Sequence, residues 1–447
     1  MDSGDPSPPI RIIGGGMTGL TLGLRLAQRG LPVVVHERDP YLGGLASEST
    51  LGGVPIERFY HCILPTDTAL LSLLKEIGIE SEVQWNRTRT GFFHDGRLIE
   101  MTTTADFMRF PALSVIDRAR LGWTIAYCGL HKNWQRFDGE PVSTFLRRHG
   151  GDRLFKSVWE PLLLAKLGRE YDRFAASFIW ATITRMLSAR KHKDRSEKLG
   201  FIRGRYGKVF SALRSAIQSA GGEVHVNSIV ASISKEKSAE VRWTVHVNGE
   251  MLPASGVVIC TPALVAGDWL KNSVPEAASS LRQVDYLGVV CEVLLLKRSL
   301  TPYYVLNLTD RRLPFTGIIE FTNLTGREEF CGHNVVYLPR YASQTAEEWS
   351  KDDAQLHLDN MSGLRFVVPD LVETDIVAWH VNRARYVQPI HSVAGGKSVP
   401  GLVIAPKLAY LSSAQMHPWP VFNDGLVRHV DSHIEELYRA FNPPGTH

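Results

Sequence analysis

Ile10-Arg11-Ile12-Ile13-Gly14-Gly15-Gly16-Met17-Thr18-Gly19, followed by an amphipathic run over 20–29 and by Val33-Val34-Val35-His36-Glu37, decides the fold of this 447-residue chain. The first four residues read as a buried strand and the run after Gly19 as a helix. Gly30 ends that helix, and the next strand closes on an acid 18 residues beyond Gly19. Each glycine of the GxGxxG pattern has a task. Gly14 permits a tight turn, Gly16 lets a pyrophosphate approach the backbone, and Gly19 lets helix and strand pack closely. The helix start offers free N–H groups and partial positive charge to phosphates. Glu37 accepts from a ribose 2′-hydroxyl but poorly tolerates a 2′-phosphate. A GxGxxG alone is weak evidence. With the strand, the helix, small Gly23, apolar Leu26 and the terminal acid in place, it predicts a dinucleotide site.

Asp39-Pro40-Tyr41-Leu42-Gly43-Gly44-Leu45-Ala46-Ser47 places a Gly-Gly pair just after that acid. This segment resembles the second fingerprint of the flavin amine oxidase superfamily, which includes protoporphyrinogen oxidase, carotenoid desaturases and UDP-galactopyranose mutase. The resemblance implies FAD rather than NAD. It implies that Met17, Thr18, Arg38, Gly44, Leu45 and Ala46 join Gly14, Gly16, Gly19 and Glu37 around the cofactor.

The bulk numbers fit a large globular protein. Hydrophobic residues at 44% and charged residues at 21% are ordinary, and the length suffices for two domains with a shared core. Fifty basic against 46 acidic side chains leave +4, too little to imply nucleic acid. Five scattered cysteines show no metal-ligand spacing and fit a reducing compartment better than a disulfide framework. The polar, proline-rich first nine residues do not resemble a signal peptide, and no apolar run reaches the ~18 residues of a membrane span. The expected location is the cytoplasm.

Along the chain, Gly52-Gly53 marks a hairpin, Asp67 opens a helix that Gly78 stops, and Asp95-Gly96 turns between short strands in 83–101. Residues 104–198 have helical period with interleaved aromatic residues and arginines. A helix over 209–220 stops at Gly221-Gly222. Strands follow over 223–233, 241–247 and 256–261, with a turn at Asn248-Gly249. Strand-like runs occupy 283–392, then a strand at 400–405 and a helix over 421–441. The predicted fold class is α/β: a Rossmann-like FAD-binding domain interleaved with a mixed-sheet substrate domain bearing a helical cap. The expected divisions are 1–103, 200–265 and 396–447 for the FAD domain, 104–199 for the cap, and 266–395 for the sheet.

The resemblance also marks chemistry. It implies that Phe59, Tyr60 and His61 pass the flavin ring and that Val230 touches the adenine through its backbone. The Thr261-Pro262 turn returns toward the cofactor, and Asn423 opens the last helix at the flavin pyrimidine. Where relatives carry Gly-Asp near the C-terminus, Ala405-Pro406-Lys407 stands here, which removes an acid contact. His61 is a candidate base or hydrogen-bond donor, against a histidine satisfied by packing. Cys62 beside it is expected to be buried and inert. Lys166 interrupts the apolar run Trp159–Gly168, and such a lysine either reaches out to water or sits buried with a perturbed pKa and a function. Tyr386 is a candidate pocket wall, and His417 and Trp419 either line the pocket or brace a loop. Nine basic residues within 185–208 form either a solvated connection, the commoner case, or an attractor for an anionic substrate or membrane headgroups.

These readings converge on an FAD-dependent oxidoreductase taking a hydride from a C–N, C–C or C–O bond of a small substrate, with oxygen or another acceptor receiving the electrons. One alternative is a non-redox flavin mutase resembling UDP-galactopyranose mutase. Another is a flavin-bound protein without turnover.

Overall fold

The computed structural model describes residues 7–442 apart from 112, 191–197, 236–241, 311, 392 and 394–398. The opening segment folds as its periodicity demands: strand Ile10–Ile13, helix Met17–Ala27, strand Val33–His36, all nearly inaccessible to solvent. Two parallel pairings set these strands in a six-stranded sheet. Its order is Val403–Ala405, Leu408–Tyr410, Gly256–Ile259, Ile10–Ile13, Val33–His36, Glu223–His225. Only the edge strand Val403–Ala405 runs antiparallel. Helix Met17–Ala27 is covered by helices Gly207–Ser219 and Asn423–Phe441, so chain segments some 200 and 400 residues away complete one apolar layer. Its apolar side chains face packing partners almost all round, which is why they are not confined to one stripe.

A second, seven-stranded sheet runs in the order Ile376–Pro389, Tyr286–Leu296, Asn334–Ala342, Gly317–Glu320, Val305–Leu308, Thr90–His94, Arg97–Glu100. It is mixed, because Val305–Leu308 lies parallel to Thr90–His94 while its other neighbours are antiparallel. The strands near residues 90–100 therefore belong to this sheet and not to the six-stranded one. Alternation identified them as strands but carries no information about which sheet they join. Similarly, the stretch 223–233 is two strands, Glu223–His225 and Val230–Lys235, separated by a kink with Asn227 at φ 51°. The second of these leads an antiparallel meander with Trp243–Val247 and Glu250–Ala254.

Between strands Arg97–Glu100 and Lys198–Ile202 the chain builds the cap: helices Thr104–Arg109, Val115–Leu130, Val142–Leu154, Glu160–Leu167 and Ala176–Arg190. Thr103 with Asp106, and Ser114 with Asp117, close reciprocal capping boxes at the first two. The turn Phe155–Trp159 widens to a π-helix immediately before Glu160–Leu167, a local irregularity that re-aims the next helix. Helix Glu160–Leu167 then lies over strands Val305–Leu308 and Asn334–Ala342. This contact seats the cap on the mixed sheet and fixes where Lys166 is delivered.

Candidate functional site

The three motif glycines separate by role. Gly14 has φ +116°, a conformation few other residues adopt, and its N–H donates to the His36 carbonyl at 2.8 Å. A methyl group on Gly19 would lie 1.9 Å from the Gly14 carbonyl oxygen, so this position is dictated by packing. A methyl group on Gly16 would meet nothing within 4 Å. The middle glycine borders open space, as the approach of a ligand requires. Gly16 precedes the helix without a side-chain cap and no acid sits in the first turn, so Met17, Thr18 and Gly19 leave N–H groups for an anion.

Glu37 closes the adenosine side of the cradle. Its Oε2 accepts from the Gly15 N–H at 2.7 Å and its Oε1 from the Asp39 N–H at 2.9 Å. Both oxygens keep a lone pair for ribose hydroxyls. The chain at 227–230 runs alongside, with Ser228 N–H on the Glu37 carbonyl, which delivers Val230 there. Arg38 is largely exposed and pairs with Asp39 at 3.5 Å. The second fingerprint abuts the first: Gly43 donates to the Gly15 carbonyl at 2.9 Å, and Gly44 lies against Gly16. Leu45 is half-buried and Ala46 buried in the turn beyond them. Ser47 Oγ and Thr261 Oγ1 are buried without a hydrogen-bond partner among the described residues. Two orphaned hydroxyls beside an uncapped helix and an open Gly16 are what a polar, phosphate-bearing cofactor would satisfy. The residues present fit FAD.

At the other end, helix Asn423–Phe441 begins beside Tyr206, whose buried hydroxyl faces Asn423. His61 is half-buried there, its ring 5.4 Å from that of Tyr206 and its Nδ1 held by the Phe59 carbonyl at 2.9 Å. Asp424, one residue into the helix, accepts from the N–H groups of Ala69 and Leu70 and so ties this end to the helix Thr68–Glu76. The strand parallel to Gly256–Ile259 is Leu408–Tyr410, so the turn facing the cofactor end begins at Ser412-Ser413. Ala405-Pro406-Lys407 instead makes a hairpin turn whose Pro406 carbonyl accepts from Trp243. Ala405-Pro406-Lys407 thus closes the edge hairpin and does not stand where the Gly-Asp of relatives is expected.

Beneath the cap two reactive side chains reach solvent while hemmed in by protein, and the space they border is the chamber. Lys166 and Cys62 both have exposed side chains, yet burial within protein pushes the Lys166 ammonium down and the Cys62 thiol up. Groups that touch water while surrounded by protein line an interior space. Lys166 is charge-coupled to Cys62 and to Arg185, and no hydrogen bond or ion pair to its amine occurs among the described residues. Cys62 faces the Tyr304 hydroxyl, and burial raises Tyr304, Tyr60 and Tyr341 above their usual range. The Tyr60 hydroxyl faces Tyr341, and its ring lies 5.8 Å from that of Tyr337. Arg185 of helix Ala176–Arg190 pairs with Asp67 at 2.6 Å and stacks 3.8 Å over Phe422. Burial raises the Asp67 carboxyl and Arg185 opposes that shift.

Lys166, Tyr60 and His61 thus come together on adjoining walls, and Cys62, expected to be buried, opens onto the same space. Tyr386 does not join them. It packs edge-on against Tyr286 at 5.5 Å in the cluster under the dinucleotide sheet, while its neighbour Val387 packs on the mixed-sheet cluster that Tyr60 and Tyr341 also cover. The pairing of Ile376–Pro389 with Tyr286–Leu296 shifts register between Ala384 and Gln388, an irregularity that re-aims the side chains between them. Tyr304, Tyr341, Arg185 and Asp67 were not singled out from sequence. They come from four separate elements, and only folding makes them neighbours. His417 and Trp419 line a small crevice with Phe174, Phe178 and His391, where His417 bonds Asp138 of the cap at 2.7 Å. Of the basic run 185–208, residues 191–197 lie outside the described residues.

The comparisons with known proteins bear on the family and the fold. Residues 17–390 match the family model for flavin containing amine oxidoreductase. A 15-cis-phytoene desaturase of Glycine max is 23% identical over 415 residues, covering 84% of this chain and 70% of the relative. In fold, an oxidoreductase from Methanosarcina mazei superposes with a TM-score of 0.75 at 17% identity over 96% of this chain and all of that one. Cyclohexylamine oxidase from Brevibacterium oxydans gives 0.71 at 14% identity over 98% of this chain and 100% of that one. With its two fingerprints, its interleaved sheets and a family match over most of its length, the chain belongs to the flavin containing amine oxidoreductase family and is an FAD-dependent oxidoreductase.

Proposed function

We propose that this enzyme oxidises a small, largely apolar substrate in the chamber beneath the cap, at a C–H bond next to nitrogen, carbon or oxygen. The observation that carries the reading is the convergence of Lys166, Cys62, Tyr60, Tyr304 and Tyr341 on one space at the end of the cradle where His61, Tyr206 and Asn423 sit. Bound FAD supplies the two-electron acceptor for the hydride, and oxygen or a second acceptor reoxidises it. The chain's own residues do the remainder. The cradle from Gly14 to Glu37, with Gly44, Leu45 and Ala46, fixes the adenosine and phosphates. Val230 lines the adenine, Phe59, Tyr60 and His61 line the ring, and Thr261 and Asn423 present polar groups. The tyrosine rings orient a flat or aliphatic body by contact and exclude bulk water.

Lys166 is the amine that can hold or release a proton near the reacting carbon. Burial disfavours its charged form, which brings the neutral amine closer to working pH and suits a general base. His61 is fixed through Nδ1, leaving Nε2 free to donate or accept at the ring. The test is anaerobic mixing of the yellow protein with fractionated extract while the flavin band near ~450 nm is followed. Bleaching by a substrate fraction, followed by oxygen or dye reduction in steady state, is the expected result. Turnover without net electron flow would instead identify a mutase, and a flavin that no fraction bleaches would identify a protein without turnover.

A further inference from the structure

Helix Val115–Leu130 of the cap is buried along one face and carries an apolar stripe along the other. Asp117, Leu121, Thr124 and Cys128 point inward and pack. At 100° per residue, Val115, Ile116, Ala119, Trp123, Ala126 and Leu130 form the opposite stripe. All six side chains are exposed, with Val115, Ile116, Trp123 and Leu130 at 76%, 64%, 55% and 75%. A sixteen-residue helix is about 24 Å long, so this is a continuous apolar band and not scattered surface leucines. Bands of this size are normally covered by something.

Charge says what covers it. Residues 104–198 hold eighteen Lys and Arg against ten Asp and Glu, while the whole chain holds 50 against 46. The cap is therefore strongly basic and the remainder net acidic. Arg120 borders the stripe, Arg109 lies just before it, and Lys132 and Arg136 lie just after it. All four are exposed, and none forms a salt bridge among the described residues. A second copy docking face to face would bring two basic caps together, which repels. An anionic bilayer supplies both an apolar interior for the stripe and headgroup charge for the arginines. No helix among the described residues is long and apolar enough to cross a membrane, so the helix would lie in the interface plane.

We propose that the outer face of helix Val115–Leu130 docks on an anionic lipid surface and parks the cap, with the chamber beneath it, on the bilayer. The surface stands apart from the cradle and the chamber, so the proposal does not depend on the substrate.

The experiment is flotation of the flavin-loaded protein with phosphatidylcholine vesicles, with and without phosphatidylglycerol. It is repeated with the triple variant Ile116→Ser, Trp123→Ser, Leu130→Ser. The wild type is expected to float with the anionic vesicles, to float less in about 0.5 M salt, and to bind neutral vesicles poorly. The triple variant is expected to keep its flavin and bind at least about tenfold more weakly. If the triple variant loses flavin, the single Leu130→Ser change replaces it, with weakened flotation still expected. Wild-type protein that never floats, or a flavin-loaded variant that floats as well as wild type, overturns the proposal. So does a wild-type dimer that the variant splits while neither binds vesicles, which would make the stripe a contact between copies.

Discussion

Gly16 and Gly19 lie in one turn of chain, and each has its surroundings set by residues within about 45 positions in sequence; the surroundings of Lys166 come from residues near 60, 185, 304 and 341. The cradle is a local object, built by one strand, one turn and one helix whose spacing is enforced by backbone geometry. The chamber is a non-local object, and each wall is contributed by an element that has its own reason to fold. Geometry encoded within a motif leaves a sequence signature. Geometry encoded by the packing of distant elements does not.

The largest expected effect breaks the cradle. Gly19→Val puts a branched side chain into the Gly14 carbonyl and should leave little folded, flavin-bearing protein, since such an overlap costs well over ~3 kcal/mol. Gly16→Val faces open space within the chain. That variant should fold with an unchanged far-ultraviolet dichroism spectrum yet lose its flavin. Equal behaviour of the two variants would erase the distinction between packing and ligand approach.

Next comes the ion pair that joins cap to chamber. Arg185→Ala leaves the buried Asp67 carboxylate without its cation and should cost about 3 kcal/mol in denaturant unfolding. Adding Asp67→Asn to that variant removes the stranded charge and should recover part of the loss. If the single change costs nothing, the cap is not held to the chamber through this pair.

Lys166→Met should lower the rate of flavin reduction by roughly a hundredfold while leaving flavin content intact. With Lys166 present, the rate should rise with pH through a value below that of free lysine. Stability depends on the same group. Its folded pKa lies below its unfolded one, so the unfolded chain binds more protons in the window between them and stability rises with pH there. As pH falls through the folded value the buried charge is fully felt, and Lys166→Met should raise the Tm most in that range. A melting temperature that is equally pH-dependent in both proteins would remove Lys166 from the chamber. The smallest effect belongs to Glu37→Gln, which keeps the shape but weakens charge-assisted acceptance from Gly15 and Asp39. FAD affinity should fall about tenfold.

Most of the fold was legible for the same reason that the cradle was. Turn residues at Gly52-Gly53, Asp95-Gly96 and Asn248-Gly249 adopt the positive φ their types allow, and the hairpins result from them. Partner choice could not be read: Thr90–His94 announced itself as a strand but not as a neighbour of Val305–Leu308. In the site, Lys166 was visible because one charge in an apolar run is costly unless used or solvated. Cys62 was misjudged since a thiol's packing depends on whether the facing volume is filled by side chains or kept open. Tyr386 falls in the register shift between Ala384 and Gln388, which period-two alternation in the sequence does not reveal. Arg185 was visible only as one of many cap arginines, and its partner Asp67 only as a helix start.

The central claim is that the cradle holds FAD through an approach that Gly16 alone leaves open. The direct measurement is the flavin-to-protein ratio of purified wild type and Gly16→Val, read from the flavin band near ~450 nm against protein absorbance. The expected result is about one flavin per wild-type chain and almost none on a Gly16→Val chain that is otherwise folded. A colourless wild type that takes up no added FAD, or a folded Gly16→Val protein that retains its flavin, would contradict it.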